Sequence, residues 1–302
     1  KGTEAVIRTC QKFRVQRLVY TSTYNVVFGG DPSNEVVDGD ESYPYLSPEA
    51  HCDAYSRTKG IAERRVLSNG GAHAWRGSER KGDGKGCLYA CAVRPAAIYG
   101  EGEWRHFGRI VKLIKQGAYA FIIGKKTARQ DWVHIENLVD AHLRAASMLV
   151  TSDGAPGISV GQAYFINDGE PRNTFEFMRP LVMALGKRFP TMSLSYHLMM
   201  RVARGFELAY YLFGLTPMLT RCEVNKCARH HTFSIAKARK DLGFKPIVKI
   251  DDGMRRMVVW LLEQDKKQVS PKNSRHWKVF FSLLAFFLVL AFVSRARITS
   301  YM

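Results

Sequence analysis

Two periods of apolar spacing run along the chain, and the switches between them mark the elements. Ala5, Val6, Ile7 and Cys10 recur at helical spacing, and the run from Val15 to Tyr20 reads as a short buried strand. Residues 24–52 are a polar connection with turn signals at Gly29-Gly30, Asp31-Pro32 and Asp38-Gly39. The next helix carries Tyr55, Lys59, Ile61, Ala62 and Val66 and ends at Asn69-Gly70-Gly71, a glycine C-cap. Residues 72–86 predict a surface loop; its Gly82-Asp83-Gly84-Lys85-Gly86 leads into a strand, which is not the context of a phosphate cradle. Residues 87–93 predict a second buried strand, 104–116 a helix with Phe107, Ile110, Val111 and Ile114 on one side, and 121–123 a short strand. A helix begins at Glu136-Asn137, and beyond the linker 151–162 come a strand at 163–167 and a helix at 174–186. The last helices are expected around Ser234 to Leu242 and over 252–264.

Strands alternating with helices predict an α/β fold built on an open parallel sheet. The chain opens on a helix that feeds straight into a strand, which is half of a βαβ unit. The expected sheet is therefore incomplete, its first βαβ units missing, and the chain reads as truncated at its N-terminus. Residues 1–150 are expected to form one lobe, 151–266 a smaller second lobe with late elements returning to the core, and 267–278 a linker.

Two stretches are strongly apolar, and they differ. Arg201, Arg204 and Glu207 recur every three residues within 195–215, so that segment is amphipathic and a poor membrane span. Such a helix suits a cover over a hydrophobic pocket, a bilayer surface or plain core packing. The run from Val279 to Val293 carries no charge and, with its flanking residues, approaches the minimum of about 17 residues for a transmembrane helix. Lys272, Arg275 and Lys278 before it and Arg295 and Arg297 after it can snorkel to the two interfaces. A single C-terminal transmembrane anchor is expected over 279–294.

Composition narrows the classes. An apolar content of 46% in 302 residues excludes general disorder. The formal charge of +18 is spread along the chain without a nucleic-acid-binding motif, so a membrane surface is the expected partner and nucleic acid is not. Six cysteines are too few and too scattered for a disulfide framework, and reduced thiols are expected. Cys87 and Cys91 would lie about 13 Å apart on one strand, beyond disulfide reach. Cys222, Cys227, His230 and His231 match no standard zinc spacing, so no metal is expected. His134 and His142 read as hydrogen-bonded structural histidines.

Candidate chemistry concentrates in Tyr55-Ser56-Arg57-Thr58-Lys59 and in Val19-Tyr20-Thr21-Ser22-Thr23. A tyrosine and a lysine four apart share one helix face. The ammonium is expected to favour the phenolate, so the pair can pass a proton to or from a substrate hydroxyl or carbonyl. Thr23 or Ser22, at the C-terminal end of a strand where open sheets bind ligands, can hold the substrate oxygen.

With Arg94-Pro95-Ala96-Ala97-Ile98-Tyr99-Gly100, Trp132 to His142 and Lys237 to Phe244, these motifs resemble the extended short-chain dehydrogenase/reductases. Within them the chain resembles the 3β-hydroxysteroid dehydrogenase/isomerase family and its 42E branch. The resemblance covers nearly the whole chain. It implies a Rossmann-type sheet, with 1–150 the catalytic half of a dinucleotide-binding domain and 151–266 the substrate lobe, and NAD or NADP as hydride carrier. Carried over by position, Tyr55 is the general acid/base, Lys59 holds the nicotinamide ribose and lowers the tyrosine pKa, and Thr23 is the catalytic hydroxyl. Ser22 and Pro95, with Tyr55 and Lys59, line the cofactor site.

Two departures stand out. Glu101 replaces the family's usual proline, a change expected to be tolerated on a surface turn, and no Gly-x-x-Gly-x-x-Gly loop occurs anywhere. That loop presents backbone N–H groups to the pyrophosphate, so these 302 residues are expected to bind NAD poorly. The implied function is an NAD(P)-dependent oxidoreductase acting on a secondary alcohol or ketone of a steroid or similar lipid. It would be anchored in the endoplasmic reticulum membrane by one pass with its catalytic part cytosolic, and a homodimer is left open. The alternatives are a nucleotide-sugar epimerase or dehydratase on the same fold, or a non-catalytic membrane-bound interaction protein.

Overall fold

In the computed structural model, which describes residues 1–29, 35–70, 88–117 and 119–267, the named strands pair in parallel. The first lobe runs α1 (Gly2–Lys12), β1 (Arg17–Thr21), a 3₁₀ turn (Tyr24–Val26), β2 (Val36–Gly39), α2 (Ala54–Asn69), β3 (Tyr89–Pro95) and β4 (Ala97–Tyr99). It continues through α3 (Trp104–Lys115), β5 (Ile122–Ile123), β6 (Trp132–His134) and α4 (Ile135–Ser147). Then follow β7 (Ala163–Ile166), α5 (Thr174–Ala184), β8 (Ser193–Leu194), α6 (Tyr196–Phe213), α7 (Arg221–Ala228), β9 (His231–Phe233), α8 (Ala236–Leu242) and α9 (Ile250–Lys267).

The main sheet has the order β1-β3-β7. β3 is its central strand and is buried at every position, which is why its sequence runs Tyr-Ala-Cys-Ala-Val without polar alternation. Ala90 packs with Ile7, Cys10 and Val66 of α1 and α2. Its neighbours Tyr89, Cys91 and Val93 pack on the other face with Leu138, Ala141 and Ala145 of α4 and with Ala238 and Leu242 of α8. The alternation of side chains along one strand thus builds a helix–sheet–helix sandwich. A second core joins α3, α5 and α9 through Phe107, Ile114, Phe177, Leu181, Met254 and Leu261.

Two features fix α2 on the sheet. At its C-terminal end a Cβ on Gly70 would lie 2.3 Å from the Cβ of Ala90, so only glycine permits the approach. At mid-helix Glu63 is fully buried, and its Oε1 accepts from Arg94 Nε at 3.0 Å, Arg94 Nη2 at 2.7 Å and Tyr45 Oη at 2.5 Å. Arg94 also lies 5.0 Å from the Tyr45 ring and 5.1 Å from the Phe165 ring. Three bonds gathered on one carboxylate oxygen set the roll of the helix as well as its position, while Glu63 Oε2 and Arg94 Nη1 stay buried without a partner.

The expected strand and helix positions in the main sheet agree with the structure to within about two residues. Three regions differ. The connection 24–52 is not all loop, because Val36 and Gly39 pair with His231 and Phe233 across the chain. A helix, α7, occupies residues for which no element is expected from sequence, and β4 follows β3 after a single residue. Cys52 and Cys222 form a disulfide, correcting the expectation of reduced, unpaired thiols. Among the described residues no helix is long and apolar enough to cross a membrane. The run 279–294, the loop 72–86 and Cys87 lie outside the described residues.

Candidate active site

β1 ends at Thr21, and the chain turns there under local hydrogen bonds. The Ser22 N–H donates to the Val93 carbonyl at 2.7 Å, and Thr23 Oγ1 accepts from the Asn25 N–H at 3.3 Å, capping the 3₁₀ turn. Across from it Asp53 caps α2, its Oδ1 accepting from the Ser56 N–H at 2.6 Å. Tyr55 follows two residues later, 54% exposed. The Thr23 hydroxyl lies close enough to act on its phenol and lower its pKa. The two oxygens that the motifs single out, 32 positions apart in sequence, therefore meet in one place.

Lys59 stands one turn further along α2. Its ammonium donates to the Thr21 carbonyl at 2.6 Å and lies 4.9 Å from the Tyr20 ring and 5.9 Å from the Tyr55 ring. An ammonium has three donors, so this anchor leaves capacity for a ligand hydroxyl. The Thr21 side chain is held in turn by His142, Nε2 to Oγ1 at 2.8 Å, while His142 Nδ1 contacts the Leu138 carbonyl at 2.8 Å. With Nδ1 donating to that carbonyl, Nε2 accepts from Thr21, and the imidazole is a structural support.

The electrostatics correct one expectation. Burial raises the Tyr55 pKa above the ordinary phenol value and the Asp53 carboxylate raises it further, while the Thr23 hydroxyl works in the opposite direction. Burial lowers the Lys59 pKa. The loosening of the Tyr55 proton by Lys59, expected from their spacing, is not seen here: burial and the Asp53 carboxylate both act to raise the phenol pKa, and Lys59 Nζ lies 5.9 Å from the Tyr55 ring. In this state Tyr55 is a protonated phenol.

The rest of the site is open in a specific sense. Ser22 Oγ and Asn25 Oδ1 are buried without a hydrogen-bond partner. Buried polar atoms are normally paired, so two orphans beside Thr23 at a sheet's C-terminal edge fit the hydrogen-bonding edge of a ligand such as the nicotinamide end of NAD(P). Pro95 is buried at the end of the neighbouring strand, paired with Ile166. Tyr55, Lys59, Thr23, Ser22 and Pro95 would hold that end of the cofactor. Glu101, read as a tolerated surface change, has partners of its own: His134 Nε2 at 3.3 Å and Arg256 Nε at 2.7 Å. Neither Asp53 nor Asn25 was singled out by sequence. Asp53 carried a usable signal, an acidic residue just before a helix start.

The cysteines of 222–231 and His231 have separate surroundings. Cys222 is bonded to Cys52, Cys227 is buried and free, and His231 stacks on Phe28 with ring centroids 4.5 Å apart.

The family profile of the 3-beta hydroxysteroid dehydrogenase/isomerase family matches residues 1–196. The chain belongs to this family. Similar relatives include short-chain dehydrogenase/reductase family 42E member 1 of Homo sapiens, 41% identical over 297 residues, covering 96% of this chain and 71% of the relative. The Danio rerio protein of the same name is 42% identical, covering 97% and 72%. A 3 beta-hydroxysteroid dehydrogenase/Delta 5-->4-isomerase of Mycobacterium tuberculosis is 36% identical, covering 90% and 69%. Among solved structures, the fold is similar to dTDP-glucose 4,6-dehydratase from Bacillus anthracis in complex with NAD, with a TM-score of 0.56 at 15% identity, covering 88% of this chain and 67% of that one. UDP-glucuronic acid 4-epimerase from Bacillus cereus, also with NAD, gives 0.56 at 15%, covering 87% and 66%. As a member of the 3-beta hydroxysteroid dehydrogenase/isomerase family the chain is an NAD(P)-dependent dehydrogenase/reductase on a Rossmann-like sheet.

Proposed function

We propose that this oxidoreductase interconverts a secondary alcohol and ketone on a steroid or similar lipid. The observation that carries the reading is a cavity of about 300 Å³ between α3, α5, α6 and α7, lined by Ile110, Leu113, Phe121, Phe175, Met199 and Val202 among other apolar residues. Pockets of this kind hold small apolar ligands oriented by a few polar groups. Tyr119 is among the lining residues, and its hydroxyl is buried and without a partner. The helix α7 borders the cavity and also approaches the start of α2. Its Glu223 and Cys227 form part of the wall, and Lys226 on the same helix lies 3.9 Å from Asp53, two residues before Tyr55.

NAD(P), when bound, supplies or accepts the hydride. The chain's own part is the proton. Thr23 holds the substrate oxygen beside the phenol, and Tyr55 gives its proton to that oxygen as a ketone is reduced or takes one as an alcohol is oxidised. Burial and Asp53 hold the phenol in its protonated form, the form that gives a proton to a ketone oxygen.

A membrane setting fits the same substrate class. The end of α6 and the residues after it expose Leu208, Tyr211, Leu212, Phe213 and Leu215, with Tyr211 85% exposed. Together with the uncharged run 279–294 this supports an enzyme that meets its substrate at a bilayer. The nucleotide-sugar reading is weaker, because a sugar diphosphate needs free cations, and Arg109 at the cavity is already bonded to Glu223 at 2.9 Å and to the Met218 carbonyl at 2.6 Å.

The test is a substrate panel at saturating cofactor, with 3-ketosteroids and long-chain ketones set against UDP-sugars. Turnover of the lipid ketones and none of the nucleotide sugars is expected. The reverse preference would overturn the substrate class.

A further inference from the structure

Cys52 and Cys222 are 170 positions apart and are joined in the structure, with their Cα atoms 5.7 Å apart, inside the usual disulfide range. Cys52 is exposed and lies three residues before Tyr55, at the approach to α2; Cys222 is partly covered in the first turn of α7. Asp53 Oδ2 sits between them, 3.9 Å from Cys52 Sγ, 3.6 Å from Cys222 Sγ and 3.9 Å from Lys226 Nζ. The other described cysteines are different in kind. Cys10 and Cys91 are buried, and burial pushes Cys91 and Cys227 up to about 12, which keeps both as unreactive thiols.

We propose that Cys52 and Cys222 are a reversible redox site, a cross-link that forms by exchange with a small-molecule disulfide and pins one wall of the cavity to the start of the catalytic helix. The step balances without a metal. The Cys52 thiolate attacks one sulfur of a disulfide such as oxidised glutathione, forming a mixed disulfide and releasing one glutathione thiolate. The Cys222 thiolate then attacks the Cys52 sulfur, closing the protein disulfide and releasing the second. Two protein thiols are oxidised and one small disulfide is reduced to two thiols. Exposure orders the steps, since Cys52 is the sulfur an incoming reagent reaches first.

The placement gives the bond a consequence. α7 contributes Glu223 and Cys227 to the cavity, and beside the disulfide its contacts with the approach to α2 include the long Asp53 contacts with Cys222 and Lys226, at 3.6 and 3.9 Å. Closing the cross-link adds a covalent tether to those long contacts, so it ties the wall to the start of the catalytic helix.

The test is to equilibrate the purified protein in graded mixtures of reduced and oxidised glutathione, trap free thiols by alkylation, and map the peptides by mass spectrometry. The expected result is a Cys52–Cys222 linked peptide whose fraction rises with the oxidised share and is lost with dithiothreitol, while Cys91 and Cys227 are alkylated only after unfolding. Limited proteolysis read on the same samples is expected to slow at 216–222 as the linked fraction rises. In Cys52→Ser the link is absent and Cys222 becomes alkylatable. Full alkylation of both residues in every mixture, or pairing of Cys52 with another cysteine, would overturn the proposal. So would protection of both thiols by added Zn²⁺ with no linked peptide, which would make the Cys52, Asp53 and Cys222 cluster a metal site instead.

Discussion

The polar groups around Asp168 and those around Tyr55 both lie at strand ends and use similar side chains, but one set is closed and the other is open. Asp168 accepts from Tyr99 Oη at 2.8 Å, from Asn137 Nδ2 at 2.7 Å and from the His134 N–H at 3.0 Å. Asn137 uses its remaining capacity on the segment before α9, donating to the Val248 carbonyl at 2.8 Å and accepting from the Ile247 and Val248 N–H groups at 2.8 and 2.9 Å. This clamp joins β6, α4, β7 and α9 and has no place for a ligand. Around Tyr55 the opposite holds: Ser22 and Asn25 keep buried oxygens without partners, and Tyr55 itself is half exposed. Satisfied buried groups specify a fold; unsatisfied ones at a sheet edge mark where something else binds.

That contrast can be broken in order of size. Arg94→Met removes the partner of a carboxylate buried under the catalytic helix, and the loss of one member of such a pair is expected to cost about 3–5 kcal/mol in chemical denaturation. Glu63 would keep only the Tyr45 hydroxyl, at 2.5 Å, so a loss below about 1 kcal/mol would show that the pair is not what seats α2.

The second prediction uses pH. Burial lifts the Asp131 pKa to about 7, with Asp38 and Asp168 adding to the rise and the Phe233 N–H, 2.6 Å from Oδ2, opposing it. The unfolded value is about 3.9. The fold therefore penalises the charged form, and this contribution to stability declines as pH rises from about 4 to about 7. His231 works the other way: burial lowers its pKa to about 4, so its contribution is lost as pH falls below the unfolded value of about 6.5. The two slopes oppose each other in the native protein. Asp131→Asn removes one, so its stability relative to the native chain is expected to improve by up to about 4 kcal/mol between acid and neutral pH. A flat difference across that window would contradict the assignment.

Third, Asn137→Ala opens the closed region. It orphans two backbone N–H groups and an acceptor, with an expected loss of about 2–4 kcal/mol in unfolding free energy. The fourth effect is smallest and has two opposite signs. Asp53→Asn keeps the helix cap but removes the anion that raises the Tyr55 pKa, so the pH limb for alcohol oxidation should move to lower pH. Thr23→Ala removes the hydroxyl that lowers that pKa, so the same limb should move to higher pH. Shifts in the same direction would show that the limb does not report Tyr55.

Local patterns carried most of what could be read from sequence. The unbroken apolar run of β3, the capped helix from Ala54 to Asn69 and the Tyr55–Lys59 spacing all fall within one element and were legible. What was missed depends on distance along the chain. β2 is a strand only because β9, nearly two hundred residues later, pairs with it, and Val36-Val37 between polar residues gives no period. The Cys52–Cys222 bond has no local signature at all. α7 is the exception: Thr220 and Glu223 form a capping box, the Thr-x-x-Glu pattern that announces a helix start, and its weak apolar period hid it. The direction of the Tyr55 shift was misread because spacing showed the neighbouring ammonium, while the nearby carboxylate and the strand carbonyl that occupies Lys59 emerge only in three dimensions.

The most direct check on the proton-transfer assignment is Tyr55→Phe, with turnover and unfolding temperature measured on the same preparation. Removing one half-exposed hydroxyl should leave stability within about 0.5 kcal/mol while lowering kcat/KM by about 10²–10⁴. Turnover comparable to the native chain in a folded Tyr55→Phe protein would contradict the account.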